Sequence, residues 1–198
     1  MPAGSTWVYT PNKVDHLIKG FTSKAIYEFH SPEGVEVADS NDVFTALNSS
    51  GNNIKGSYHL PANYFYKIDD GRGFKITMYF SKLLDGNDMA FNQSLIDGAT
   101  ELVIASETYT TPTDNLGGST LAKYQCHLTK FYNTGNSVDY VQATGDIVYS
   151  RRGDGTAVCM TPFNGVVDIN PTHALDFYIL NRCTASIFVK YLLIEEIS

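Results

Sequence analysis

The chain has 198 residues, of which 43% are hydrophobic, 13% aromatic and 18% charged, with a formal net charge of −7 at pH 7. That length allows one good core, or one domain with an extension. The acidic balance argues against a nucleic-acid partner, because phosphate binding needs clustered Lys and Arg, and the densest basic spot is the pair Arg151-Arg152.

Residues 1–50 differ from the rest of the chain. Trp7, Tyr9, Leu17, Ile18, Phe21, Ile26, Tyr27 and Phe29 are spread without a sustained period among the turn residues Pro11-Asn12, Lys19-Gly20 and Ser31-Pro32-Glu33-Gly34. The stretch is too apolar for a disordered tail. An extended N-terminal arm is expected, with Trp7, Tyr9, Phe21, Tyr27 and Phe29 as candidate assembly residues that pack on the arm's own domain or on a neighbouring subunit. Residues 39–45 offer an N-cap-like start, but Ala46-Leu47-Asn48-Ser49-Ser50-Gly51 should stop a helix, and 48–53 should be a loop that opens the second domain, 51–198.

From Ile54 strands are expected at intervals. Residues 55–65 give a short strand halted by Pro61, and 69–73 a turn with two glycines. In 74–84, Phe74, Ile76, Met78 and Phe80 alternate with Lys75, Thr77, Tyr79 and Ser81, the pattern of a half-buried strand. A turn at Asp85-Gly86-Asn87-Asp88 should lead into a mixed loop up to Gly98, then a short strand at 101–106 and a loop at 110–119. Residues 121–132 set Ala122, Tyr124, Cys126 and Leu128 opposite Lys123, Gln125, His127 and Thr129. Two apolar patches at 138–140 and 147–149 flank Gly145, and short segments at 157–160 and 166–169 come next. From Ala174 two apolar runs flank the break Asn181-Arg182-Cys183-Thr184, with Leu175, Phe177 and Ile179 facing a core. About eight strands with turns of varied length, in a chain rich in Tyr, Phe and Gly, predict an all-β fold of two antiparallel sheets packed face to face.

Catalytic chemistry finds no foothold. The acid pairs Asp69-Asp70, Asp85/Asp88 and Glu195-Glu196 lie in turns or beside the terminus, where carboxylates are solvated. Asp-Gly-Asn-Asp has oxygen ligands but not the spacing of an EF-hand loop, and His16, His30, His59, His127 and His173 show no metal-ligand spacing. Glycines at 71–73 join two strands and open no helix, so no phosphate cradle is expected, and Arg152-Gly153-Asp154 is read as a plain turn. Cys126, Cys159 and Cys183 form neither a disulfide framework nor a zinc knuckle. No catalytic, cofactor-binding or metal-binding residue is assigned, and an enzyme is not expected. The opening Met-Pro-Ala-Gly-Ser-Thr-Trp lacks the features of a signal peptide, and no apolar run reaches the length of about 18 residues needed to span a membrane. Synthesis in a cytoplasm without membrane insertion is the expectation. Tyrosines are the suggestive surface feature, since an apolar ring with a polar tip suits protein interfaces and sugar surfaces, and Tyr64, Tyr66, Tyr109 and Tyr132 are candidate surface-binding residues.

Two phrases carry a resemblance. Leu60-Pro61-Ala62-Asn63, after one strand and before a long alternating one, resembles the opening of a β-sandwich domain common in structural proteins of tailed bacteriophages. Thr172-His173-Ala174-Leu175-Asp176-Phe177, then Thr184-Ala185-Ser186-Ile187-Phe188-Val189, then Leu192-Leu193-Ile194-Glu195 resemble its closing phrase, with Leu180-Asn181-Arg182-Cys183 in place of the usual Trp or Gly-Thr of the final turn. The order and spacing agree over residues 54–197, and residues 1–50 match nothing in that pattern. The resemblance implies a jelly-roll-like module on a virion, often a homotrimer, in head fibres, capsid decoration proteins or tail appendages. It implies capsid or other virion proteins as partners, and it brings no catalytic residues. The expected function is therefore a virion structural protein, a capsid decoration or head-fibre component, with a receptor- or carbohydrate-binding module facing host glycans as the alternative. A small glycosidase or metal enzyme would require acids or histidines that the fold brings together.

Overall fold

The alternating run Phe74, Ile76, Met78, Phe80 becomes one wall of a core, and all four side chains are fully buried. In the computed structural model, residues 23–49, 58–67, 71–83, 88–110, 119–135, 137–150, 158–182 and 185–197 are described. They form β1 (Ser23–Val37), α1 (Val43–Ser49), β2 (Tyr58–Leu60), α2 (Tyr64–Lys67), β3 (Gly73–Leu83), β4 (Asp88–Asp97), β5 (Thr100–Thr110), β6 (Ser119–Asn133), β7 (Val138–Ser150), β8 (Val158–Ile169), β9 (Leu175–Asn181) and β10 (Ile187–Ile197). Two antiparallel sheets pack face to face, as expected. The larger has the order β1-β10-β3-β6-β7-β8 and the smaller β2-β9-β4-β5.

The pairing has a simple logic once the hairpin β7-β8 is set aside. The first strand pairs with the last, β1 with β10, and the second with the last but one, β2 with β9. Likewise β3 pairs with β6 and β4 with β5. The chain is thus a long hairpin rolled over on itself, and β7 and β8 extend the larger sheet past β6. Between the sheets, Phe80 of β3 meets Phe91 of β4 edge-on at 5.3 Å, and Phe91 meets Tyr124 of β6 at 5.4 Å. Tyr124 in turn stacks on Phe163 of β8 at 5.6 Å. Gly145 of β7 makes that stack possible, because a Cβ there would collide with the Gln125 carbonyl and the Phe163 ring.

Several expectations change. The boundary at residue 50 does not separate an arm from the sandwich over the described residues. β1 is an edge strand of the larger sheet, paired with β10 from Ser23↔Ile197 to Val37↔Ile187. Phe29 is buried and Tyr27 packs against the core, so both serve the sandwich's own interior. Trp7, Tyr9 and Phe21 lie outside the described residues. The helix expected to stop at Ala46 continues to Ser49 as α1, because Asp42 caps it: Asp42 Oδ2 accepts from the Thr45 amide at 2.8 Å and from Thr45 Oγ1 at 3.0 Å. Val43, Phe44 and Leu47 are fully buried, so α1 closes one side of the core, and each such side chain contributes roughly 1.5–3 kcal/mol of burial.

The expected loop up to Gly98 is instead β4. Its periodicity is broken by a bulge between Gln93 and Ser94, both buried, so apolar and polar residues do not alternate. The patches at 138–140 and 147–149 are one strand, β7, and the segments at 157–160 and 166–169 are one strand, β8, continuous through Pro162. Pro162 is tolerated because β8 is the last strand of its sheet. The short strand halts before Pro61 as expected, and Tyr64–Lys67, where no helix is expected from the sequence, form the short helix α2. The two closing runs are β9 and β10, but they belong to opposite sheets, so the connection between them crosses the sandwich.

The two phrases that carry the resemblance are neighbours in space. Tyr58, His59 and Leu60 pair with Phe177, Asp176 and Leu175. Asn63, in the left-handed region at φ 63°, donates its amide to the Thr172 carbonyl at 3.2 Å. Asn tolerates that conformation better than most residues do, which gives the Pro-Ala-Asn turn a structural role.

Candidate functional site

Strand alternation leaves Lys75, Thr77 and Tyr79 of β3 on the outer face of the larger sheet. The register then sets their neighbours. Tyr79 has Tyr191 of β10 on one side and Lys123 of β6 on the other, and His30 of β1 lies beside Tyr191. One row below, Leu193 flanks Thr77, and a further row down Glu195 flanks Lys75. These side chains line a groove of about 660 Å³, open to solvent, across four strands. The Tyr79 and Tyr191 rings lie 6.0 Å apart at 54°, and Tyr79 is 37% exposed. Phe188 and Leu121, also exposed, continue the apolar character of this face beyond the tyrosines.

The polar groups on this face are tied to one another. Lys75 Nζ stands 3.8 Å from Glu195 Oε2, and the Gln125 amide approaches His127 Nε2 at 3.1 Å. Burial lowers the pKa of His127, and the ammonium of Lys75 lowers it further. Burial raises the Tyr191 hydroxyl, and the Glu28 carboxylate beside it adds to the effect. A floor of paired strands with mutually bonded side chains is a preorganised surface, suited to binding.

The other sequence candidates are dispersed. Glu195 and Glu196 point to opposite faces, Glu195 into the groove and Glu196 toward Tyr64, whose hydroxyl donates to Glu196 Oε1 at 3.1 Å. Tyr64 is half-buried against Phe65 and Phe74, at 5.4 and 5.5 Å, so it belongs to the packing and is not free for a partner. Tyr66 and Tyr132 are exposed, at 68% and 45%, while the side chain of Tyr109 lies outside the described part. His59 pairs with Asp176 at 2.8 Å and His173 with Asp97 at 2.9 Å, each a separate bridge. Asp69-Asp70, Asp85 to Asn87, His16 and Arg152-Gly153-Asp154 lie outside the described residues. Among the described residues no group of three or more His, Cys, Asp or Glu could hold a metal ion, and no helix is long and apolar enough to cross a membrane. Burial pushes the Cys126 thiol up to about 12, the behaviour of a core residue.

The groove residues of β3 are separable by face in the sequence, since Lys75, Thr77 and Tyr79 alternate with the apolar run. What brings Tyr191, Lys123 and His30 to them is the pairing of β1, β10, β3 and β6, drawn from both ends and the middle of the chain. No protein-family model, no curated protein and no solved structure matches this chain.

Proposed function

We propose that the chain is a virion structural protein of tailed-bacteriophage type, a capsid decoration or head-fibre protein built on a jelly-roll sandwich. The observation that supports it best is the strand order. With the β7-β8 hairpin set aside, β1-β10-β3-β6 faces β2-β9-β4-β5, as in an eight-stranded jelly roll, an architecture that recurs in viral capsid proteins. The spatial pairing of the two phrases that carry the resemblance adds to this support. Exposed Tyr79, Leu121, Phe188 and Val166 on the outer face of the larger sheet give the sandwich an interface-like surface, in keeping with a homotrimer or with packing on other virion proteins.

The test is compositional. Particles of the virus that encodes the chain should contain it at a fixed number of copies, and the isolated chain should run at three times its monomer mass in light scattering. Particles purified to homogeneity without the chain would overturn the proposal. A chain lacking residues 1–22 retains every described strand, so it separates folding from attachment: loss of particle binding with an unchanged circular dichroism spectrum would place the attachment element in that segment.

A carbohydrate-binding module of a tail fibre or appendage is the second reading. The groove beside Tyr79 and Tyr191 favours it.

A further inference from the structure

The charges of the groove cancel. Glu195 stands 3.8 Å from Lys75, and the Glu28 carboxylate sits on the Tyr191 hydroxyl, so two acids answer Lys75 and Lys123 of the lining. No net field selects an ion, and the ligand that suits this face is neutral. The backbone of the floor is also taken up. Strands β10, β3 and β6 each have a paired strand on both sides, so an extended peptide finds no open ladder there. Recognition falls to the side chains.

Those side chains narrow the class. Tyr79 is exposed and Tyr191 lies 6.0 Å from it, inclined at 54°, a shallow apolar angle of the kind on which the C–H face of a pyranose packs. Lys75 and Glu195 lie four residues down β3 and β10, about 13 Å away at the usual strand rise, across the uncharged floor of Thr77 and Leu193. The ammonium only donates and the carboxylate only accepts. At 3.8 Å the two are too far apart for a direct hydrogen bond, and both are partly exposed. A hydroxyl donates and accepts, so a sugar diol meets both at once, one oxygen accepting from Lys75 and the other donating to Glu195. An acceptor-only anion or a donor-only cation would satisfy one member of the pair and be repelled by the other. The cleft, at about 660 Å³, falls within the range of roughly 300–1,000 Å³ typical of small-ligand sites.

We propose that the outer face of the larger sheet binds a neutral oligosaccharide, with one sugar ring on Tyr79 and Tyr191 and the hydroxyls of a following unit on Lys75 and Glu195. This rests on the carbohydrate-binding reading and gives it a ligand class. It is independent of whether the chain assembles on a particle, so its failure leaves the particle-composition test untouched.

The experiment is a glycan array carrying neutral and uronate- or sialate-bearing oligosaccharides, probed with the isolated full-length chain, followed by calorimetric titration with the tightest neutral binder. Neutral oligosaccharides should bind, with an affinity that does not fall as salt is raised. Tyr79→Ala and Lys75→Met should each weaken binding roughly tenfold, while Tyr79→Phe, which keeps the ring, should stay within about threefold of wild type. Lys75→Met lies on the outer face and is the decisive variant should Tyr79→Ala disturb the fold. Binding confined to acidic glycans would overturn the neutral class and leave the carbohydrate-binding reading standing, whereas no binding to any glycan would overturn both. Neutral binding that Tyr79→Ala and Lys75→Met leave unchanged would place the sugar elsewhere and overturn the proposal. A fall in oligomeric mass on Tyr79→Ala, seen by light scattering, would overturn it by assigning this face to a second copy of the chain.

Discussion

Asn181 shows how much one buried amide can organise. It is fully buried at the end of β9, and its Nδ2 donates to the Val37 carbonyl at 2.9 Å and to the Ala38 carbonyl at 3.1 Å. Its backbone donates to Asn41 O at 2.9 Å and accepts from the Ser40 amide at 2.8 Å. The smaller sheet is thereby clasped to the segment that leaves β1. Asn181→Leu removes both donations, after which Ala38 O keeps only the Asn41 amide at 3.2 Å, so unfolding free energy should fall by about 1–3 kcal/mol in urea denaturation. Little change would mean that water reaches those carbonyls. Sequence alone places Asn181 in a polar break between strands, because a single Asn after an apolar run reads as a turn.

His127 gives a pH prediction at the same scale. Burial and Lys75 lower its pKa from the ordinary 6.5, so the folded state binds this proton less readily than the unfolded chain does. Its contribution to stability is full above the unfolded value and is lost as pH falls from about 6.5 through the lowered folded value. The melting temperature of wild type should therefore drop more between pH 7.5 and pH 5 than that of His127→Gln, compared by calorimetry. Equal drops would show that the ring is not desolvated.

At the scale of elements, α1 is the piece whose burial most exceeds its appearance. Seven residues with a polar start look like a connection, yet Phe44 makes an edge contact with Phe177 at 6.1 Å and is fully buried. Phe44→Ala should cost about 3–5 kcal/mol, read from the denaturation midpoint, with the far-ultraviolet spectrum of any folded fraction unchanged. A smaller loss would mean that the neighbouring rings collapse into the space. Strands β3, β6 and β9 are legible in the sequence because a strand with one face to a core alternates. Strand β4 is not, since its bulge buries Gln93 and Ser94 side by side with Phe91 and Leu95. Strand β8 reads as two segments divided around Pro162, a residue that only an edge position accommodates.

At the scale of the molecule, the two ends of the described chain meet. Ser23 is the partner of Ile197, and β10 lies between β1 and β3. A circular permutant joining Ile197 to Ser23 through a short Gly-Ser linker, opened at the exposed Gly98-Ala99 turn, should fold with a circular dichroism spectrum like that of the parent. Failure of that permutant with a soluble parent would mean that the β4-β5 turn is needed early in folding. The same closure explains why the local sequence reads as an arm ending at residue 50. Residues 23–37 pair with a strand about 160 positions later, and nothing local in them announces a partner that distant.

The sequence by itself determined the fold class, the inward faces of β3, β6 and β9, and the lack of any local catalytic or metal-binding spacing. These follow from alternation and short-range chemistry, both of which act over a few residues. Tertiary structure decided which strand lies beside which: that β9 and β10 part to opposite sheets, that residues 23–49 belong to the sandwich, and that His30, Tyr191, Tyr79 and Lys123 form one row. Sheet pairing is set by long-range register, and the burial that selects a register exists only once both faces of the core are assembled.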